Sequence, residues 1–329
     1  MNFPSVRHWS TRGMRTLGAV VLMAAASPGA EEARDANEVA IAGMIAALDD
    51  EHYAVREQAR KDLLKIGPPA VPSLLKATRS DSPERRIRAA KLVATIRFQT
   101  ISVEFEAMGK KPDDELDVEH TMWVIALLLD PDLEEKSVTG SLDRMAAGVR
   151  KKLGPKGDPK SMPPAEVMAA LTGVLKEEIG LQGDEITYVN PENSSIHRVI
   201  ARKKGLPILL SEIAVAVARR LDLPVVGLPI PGRYMIKYDG ARAPIGEDRS
   251  DIIVNPYEGW RVTTPAELAR TVLGFDPRTD LLASPPRATI SRMLRNMHSH
   301  ALLQRKTELA GSILHCLELL VPDGELLLQ

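Results

Sequence analysis

A chain of 329 residues, 44% hydrophobic and 26% charged, is long enough for two or three small domains with ordinary cores. Its 43 basic and 44 acidic side chains leave a formal net charge of -1, which excludes the basic excess of a phosphate-binding surface. Aromatic residues at 4% argue against a stacking platform for single-stranded nucleic acid or glycans.

In chain order, Arg7, Arg12 and Arg15 precede an apolar run from Leu17 to Ala26, and small residues follow at Ala24-Ala25-Ala26 and Gly29-Ala30. This is the pattern of an export signal over residues 1–30, cleaved near Ala26 or Ala30, and it predicts a periplasmic or secreted protein. The run is shorter than the ~20 residues a spanning helix needs, so no membrane span is expected after cleavage, and an uncleaved anchor is the alternative. Residues 38–98 then read as helical, with an internal offset of 30 residues: Arg56 aligns with Arg86, Ala59 with Ala89, Leu63 with Val93 and Ile66 with Ile96. The pattern resembles HEAT-like repeats, which stack helix pairs into a solenoid, and two repeats are expected to pack onto the domain that follows.

Residues 99–115 carry Gly109, Pro112 and a charge cluster, and read as a linker. Helical patterns resume over 118–129 and 142–153, stop at "GPKGDPKSMPP" and return over 165–179. From Val225 the signal becomes short and β-rich, in "VVGLPI", "RYMIKYD" and "DIIVN". Helices first and strands afterwards predict an α+β fold for residues 116–283, and residues 284–329 read as a helical hairpin, tetratricopeptide-like in pattern.

The pieces "LLLDPDLEE", "NPENSSIHRVIARKKGLPI", "PGRYMIKY" and "VNPYEGW", in this order and followed by the helical tail, resemble the SirB-type branch of the transglutaminase-like superfamily. The resemblance implies a papain-type α+β core. In catalytic members a cysteine opens the central helix, a histidine follows on the next strand and an aspartate on the strand after it. The layout suits the chemistry: free helix N–H groups favour a thiolate, the histidine moves a proton and the carboxylate orients it. Carried over residue by residue, these positions fall at Pro207, Arg233 and Asn255. Proline offers no nucleophile, arginine stays protonated, and asparagine cannot stabilise an imidazolium as a carboxylate does. Proline does suit a first helical turn, where only an unpartnered N–H is given up. The resemblance further implies that Asn193, Arg233, Tyr234, Asn255, Tyr257 and Trp260 converge on the former cleft and could bind a peptide or an anionic group, with Arg233 as anchor or merely as a salt-bridge partner.

A serine, histidine and carboxylate trio of Ser211, His197 and Glu212 is the nearest substitute on paper, although Ser211 reads more simply as a packed helix residue. His298 and His300 stand two apart and diverge on a helix, so no metal site is expected. No HExxH, CxxC or phosphate-cradling glycine loop occurs, and no cofactor is expected. The single cysteine, Cys316, excludes an intramolecular disulfide and reads as a buried hydrophobe. The expected protein is an exported, catalytically inactive transglutaminase-like module that binds a protein or peptide partner. A cysteine-independent hydrolase or peptidase using the same cleft, and a purely structural helical interaction protein, are the alternatives.

Overall fold

The computed structural model describes residues 28–154, 158–243 and 250–321, so the run expected to be an export signal lies outside the described residues. The chain divides into two compact units, Met1–Val93 and Ala94–Gln329.

The first unit holds α1 (Pro28–Ala46), α2 (Tyr53–Ile66), α3 (Val71–Ala77) and the start of α4 (Pro83–Gly109). Leu48, Leu63 and Leu74 form its buried centre, and the aligned pairs Ala59/Ala89 and Leu63/Val93 are buried together with them. The internal offset has a structural counterpart. Arg56 donates from Nη1 to the carbonyls of Asp50 and Glu51 at 2.7 and 2.9 Å, and Arg86 donates in the same way to those of Ser80 and Asp81 at 2.8 and 3.1 Å. Each arginine thus satisfies carbonyls in the turn just ahead of its own helix, as a guanidinium with several donors is suited to do.

Residues 99–115 are not the expected linker: α4 continues to Gly109. Glu106 is exposed on its outer side, while Ile101, Phe105 and Met108, spaced by four and three, share one face and are buried. That buried face joins the core of the second unit, which continues with α5 (Val118–Ala126), α6 (Glu135–Leu153) and α7 (Pro164–Thr172), the last extended by a π-helical turn at Gly173–Glu178. Then come β1 (Gln182–Gly183), α8 (Ile196–Arg202), β2 (Lys204–Gly205) and α9 (Pro207–Arg219). The remaining elements are β3 (Val225–Leu228), β4 (Met235–Tyr238), β5 (Ile252–Asn255), β6 (Arg261–Thr263), α10 (Pro265–Thr271), α11 (Pro277–Asp280), α12 (Pro286–Leu303) and α13 (Thr307–Leu320).

The helix α9 is the centre of this unit. From Ile208 to Ala218 every residue except Val215 is buried, because β3 and β4 cover one side and α5, α6, α8 and α12 the others. A helix apolar nearly all round is stable only in such surroundings. The strands β3, β4, β5 and β6 form an antiparallel sheet in that order, with Ile236 opposite Val254 and Val254 opposite Val262. Its second face closes a smaller core of Val226, Leu228, Met235, Ile253 and Leu268. A two-residue parallel pairing joins β1 to β2. The result is a mostly helical α+β unit with a small antiparallel sheet.

The C-terminal end of α9 is tied down by charge. Arg220 donates to both carboxylate oxygens of Glu119 at 2.7 Å each and to Asp143 at 2.6 Å, joining α9 to α5 and α6. Arg220 and Glu119 are mostly shielded and Asp143 is exposed. Arg220→Ala is therefore expected to cost about 2 kcal/mol in urea unfolding, because Glu119 loses its bidentate partner, and Asp143→Ala less than about 0.5 kcal/mol.

Candidate functional site

Pro207, Arg233 and Asn255 lie on α9, on the turn entering β4 and at the end of β5. Pro207 is the first residue of α9, after Leu206 in extended conformation (φ -72, ψ 158). One turn on, and on the same face, the Ser211 hydroxyl donates to the carbonyl of Tyr234 at 3.2 Å, which fixes the start of α9 against the turn that carries Arg233. That turn closes with the Arg233 N–H on the Ile230 carbonyl at 2.9 Å. Arg233 then reaches Glu258 at 3.0 Å. Asn255 Oδ1 accepts from the N–H groups of Tyr257 and Glu258 at 3.2 Å each, so its side chain shapes the turn that presents Glu258. Arg233 and Asn255 are thereby joined through Glu258, and Pro207 stands one helical turn from Ser211, which holds the residue after Arg233.

The six residues expected to converge on a cleft divide into two groups. Asn193, Tyr234 and Trp260 are buried. Asn193 donates to the carbonyls of Thr187 and Tyr188 at 2.8 and 3.3 Å and accepts from Arg202 at 3.0 Å. Trp260 donates to the Leu181 carbonyl at 2.8 Å. Tyr234 points into the core, because its phenol finds the buried Glu212 carboxyl at 2.7 Å and the Thr289 hydroxyl at 3.0 Å. Burial drives this phenol well above its ordinary pKa, with the neighbouring Glu212 adding to the effect. Arg233 and Tyr257 are part-exposed, and Asn255 is buried just beneath them.

A hydrogen-bonded loop backs these residues. Asp184 accepts from the Thr187 N–H at 2.9 Å, from its hydroxyl at 2.5 Å and from Arg202 at 2.9 Å. Burial alone would raise this carboxyl, but donors from Thr187, Asn193 and Arg202 outweigh it and hold it at about 2. The carbonyl of Asp184 accepts from Tyr257 Oη at 3.1 Å, and the carbonyl of Asn193 accepts from the Leu206 N–H at 3.3 Å, just ahead of Pro207. One loop thus braces both the Tyr257 side and the mouth of α9. Tyr257 also meets Tyr188 edge to face at 6.0 Å, and burial pushes its phenol up to about 12.

Two further residues escaped the sequence reading. Glu258 lies within "VNPYEGW", beside residues already singled out, and opposite-charge pairing with Arg233 was its only signal. Arg292, on α12, gave none. It donates to the Arg233 carbonyl at 2.7 Å and stacks over the Tyr234 ring at 5.4 Å, so a half-buried guanidinium lies directly behind Arg233.

The substitute trio is not assembled. Ser211 is buried with its hydroxyl committed to a main-chain carbonyl, and Glu212 turns to Tyr234. His197 lines a surface groove with Asp130, Pro131 and Glu134 instead. The one thiol, Cys316, is buried on α13, where desolvation pushes it up to about 12, so it is no thiolate near neutral pH. Among the described residues no group of three or more His, Cys, Asp or Glu side chains is placed to hold a metal ion, and no helix is long and apolar enough to cross a membrane.

The chain is similar to a UPF0162 protein of Xylella fastidiosa, with 34% identity over 141 residues, 40% of this chain and 48% of that protein. It is similar to a UPF0162 protein of Pseudomonas aeruginosa at 32% identity, over 39% of this chain and 48% of the relative. A shorter stretch, 22% of this chain, is 27% identical to 12% of the human F-box only protein 21. The chain spans about half the length of the UPF0162 relatives it matches. No solved structure matches it. The sequence model of the transglutaminase-like superfamily matches residues 136–305, just over half of the chain, a span that contains α9, the antiparallel sheet, Pro207, Arg233 and Asn255. By that match, this chain belongs to the transglutaminase-like superfamily.

Proposed function

We propose that this chain is an exported, catalytically inactive member of the superfamily, close to its SirB-type branch, and that it binds a protein or peptide segment bearing an acidic group. The observation that carries the reading is the state of the three positions: Pro207 brings no nucleophile, Arg233 no base near neutral pH, and Asn255 spends its side-chain oxygen on the backbone of the next turn. What remains is a binding surface with a positive anchor. The Arg233–Glu258 pair is 33% and 44% exposed on its two sides. A pair so exposed is worth well under about 1 kcal/mol, so an incoming carboxylate can replace Glu258 at little cost. Tyr257, next in sequence to Glu258, and Tyr188, edge to face with it, supply apolar area. The helices α1–α4, read as HEAT-like, and the hairpin α12–α13, read as tetratricopeptide-like, would offer further partner surfaces. The basic and apolar start of the sequence supports export. The hydrolase alternative is disfavoured by the commitment of the Ser211 hydroxyl to the Tyr234 carbonyl.

Fluorescence anisotropy with a library of labelled acidic peptides and their amidated counterparts tests the reading. Glu258→Gln is expected to tighten binding of acidic peptides about threefold, by removing the competing carboxylate, and Arg233→Ala to weaken it about tenfold. Equal binding of acidic and amidated peptides by all three proteins would refute an anionic anchor.

A further inference from the structure

Beyond the first turn of α9, the helix presents Glu212, Val215 and Arg219 along one stripe. These three line a pocket of about 470 Å³, together with Pro224, Val225, Val226 and Gly227 of β3 and its approach, and Ser284 and Thr289 at the start of α12. We infer that this pocket binds a small molecule carrying a protonated amine on an apolar body, with the Glu212 carboxylate as its counter-ion.

Three observations carry the assignment. First, the polar floor is organised as a chain of hydrogen bonds: the Ser284 and Thr289 hydroxyls meet at 2.8 Å, the Thr289 and Tyr234 hydroxyls at 3.0 Å, and Tyr234 donates to Glu212 Oε1 at 2.7 Å. Second, β3 makes room for that floor with a glycine. A Cβ at Gly227 would stand 2.4 Å from the Tyr234 hydroxyl and 2.5 Å from Glu212 Oε1, so any side chain there would displace both. Third, Glu212 is only 5% exposed, and among the described residues no cation forms an ion pair with it. Arg219, on the same stripe, is 3.4 Å from Asp117. A buried carboxylate normally takes a paired cation, and the pocket leaves that place to a ligand. The walls of Val118, Val215, Leu223, Val225 and Pro286 suit an apolar body.

The charged and titratable groups around Glu212 come from each neighbouring element. They are Tyr234 ahead of β4, Arg219 on α9 with Asp117 ahead of α5, Asp222 after α9, Arg242 after β4, and Arg292 of α12 over the Tyr234 ring. Burial is the largest influence on the carboxyl and raises it to about 7, against the Tyr234 hydrogen bond and the Arg219 charge, which lower it. Near neutral pH the empty pocket therefore holds its proton about half the time. An ammonium ligand binds the ionised form, and the displaced proton passes to the buffer. With the carboxyl at about 7, the apparent affinity for a permanently protonated amine rises about tenfold between pH 6 and pH 8.

Isothermal titration calorimetry of the purified chain with benzylammonium chloride, and with benzyl alcohol as the uncharged isostere, tests the inference. The expected result is saturable benzylammonium binding that tightens about tenfold from pH 6 to pH 8, a heat at pH 7 that differs between phosphate and Tris buffers because a proton is released, and at least tenfold weaker binding of the alcohol. Glu212→Gln should lose most of the affinity and all of the pH dependence. Val215→Phe, which fills the pocket while keeping the carboxyl, should block binding and keeps the test decisive if Glu212→Gln does not fold. Arg233→Ala should leave benzylammonium binding unchanged, which separates this pocket from the surface under Proposed function. No saturation at millimolar benzylammonium, equal binding of the alcohol, or unaltered binding by either pocket variant would overturn it.

Discussion

Asp184→Asn will lower the free energy of unfolding at pH 7 by about 2–3 kcal/mol, and the loss will shrink to about 1 kcal/mol or less as the pH falls to 2. Asp184 is 2% exposed and gathers the Thr187 N–H and hydroxyl and the Arg202 guanidinium. An amide can accept fewer of these and leaves Arg202 without its charge partner, which is the costly way to break a buried pair. The sign follows from the depressed carboxyl. A group held at about 2 in the folded chain, against an ordinary 3.8, stabilises fully above the ordinary value and loses that contribution as pH falls from about 4 to about 2. The difference is worth about 2 kcal/mol. Urea unfolding of both proteins at pH 7, 4, 3 and 2 checks it. Because this loop also receives Tyr257 and the Leu206 N–H, the variant should loosen the anchor surface too, seen as weaker peptide binding than wild type at pH 7.

Gly183→Ala is expected to cost about 3 kcal/mol, more than a routine glycine-to-alanine change. A Cβ there would lie 2.6 and 2.7 Å from two atoms of the Tyr257 ring and 2.8 Å from the Tyr257 carbonyl. The ring can move, but the carbonyl belongs to the turn shaped by Asn255 and cannot yield without opening it. Adding Tyr257→Ala should therefore restore only part of the stability, with the midpoint in urea staying below that of Tyr257→Ala alone. Full restoration would show that the ring alone sets the constraint.

Much of this molecule could be read from its residues, and the failures have physical causes. The core position of α9 was visible because "PILLSEIAVAVAR" has scarcely a polar face. The three longer strands of the sheet were visible in β-branched and aromatic runs bounded by Pro231-Gly232 and Asp239-Gly240. β6 and the β1–β2 pairing were not, since two or three residues carry no periodicity. The far end of α4 was misread because its charges, Gly109 and Pro112 hid the apolar spacing of Ile101, Phe105 and Met108. In the site, residue identity told which chemistry is missing, but not where side chains turn. Tyr234 sits beside Arg233 in sequence yet faces the opposite way, drawn by Glu212, and Arg292 approaches from α12, fifty-nine residues beyond the carbonyl it meets. Long-range contacts of that kind leave no local pattern to find.

The proposed loss of catalysis is tested most directly by turnover. The purified chain is incubated with a glutamine-containing peptide and a labelled amine, and separately with fluorogenic amide and peptide substrates. The account predicts no product above that of a heat-denatured sample in any of them, since Pro207, Arg233 and Asn255 supply neither nucleophile nor base. Sustained turnover by the native chain that vanishes on Ser211→Ala or Arg233→Ala, in variants that still unfold cooperatively, would contradict it.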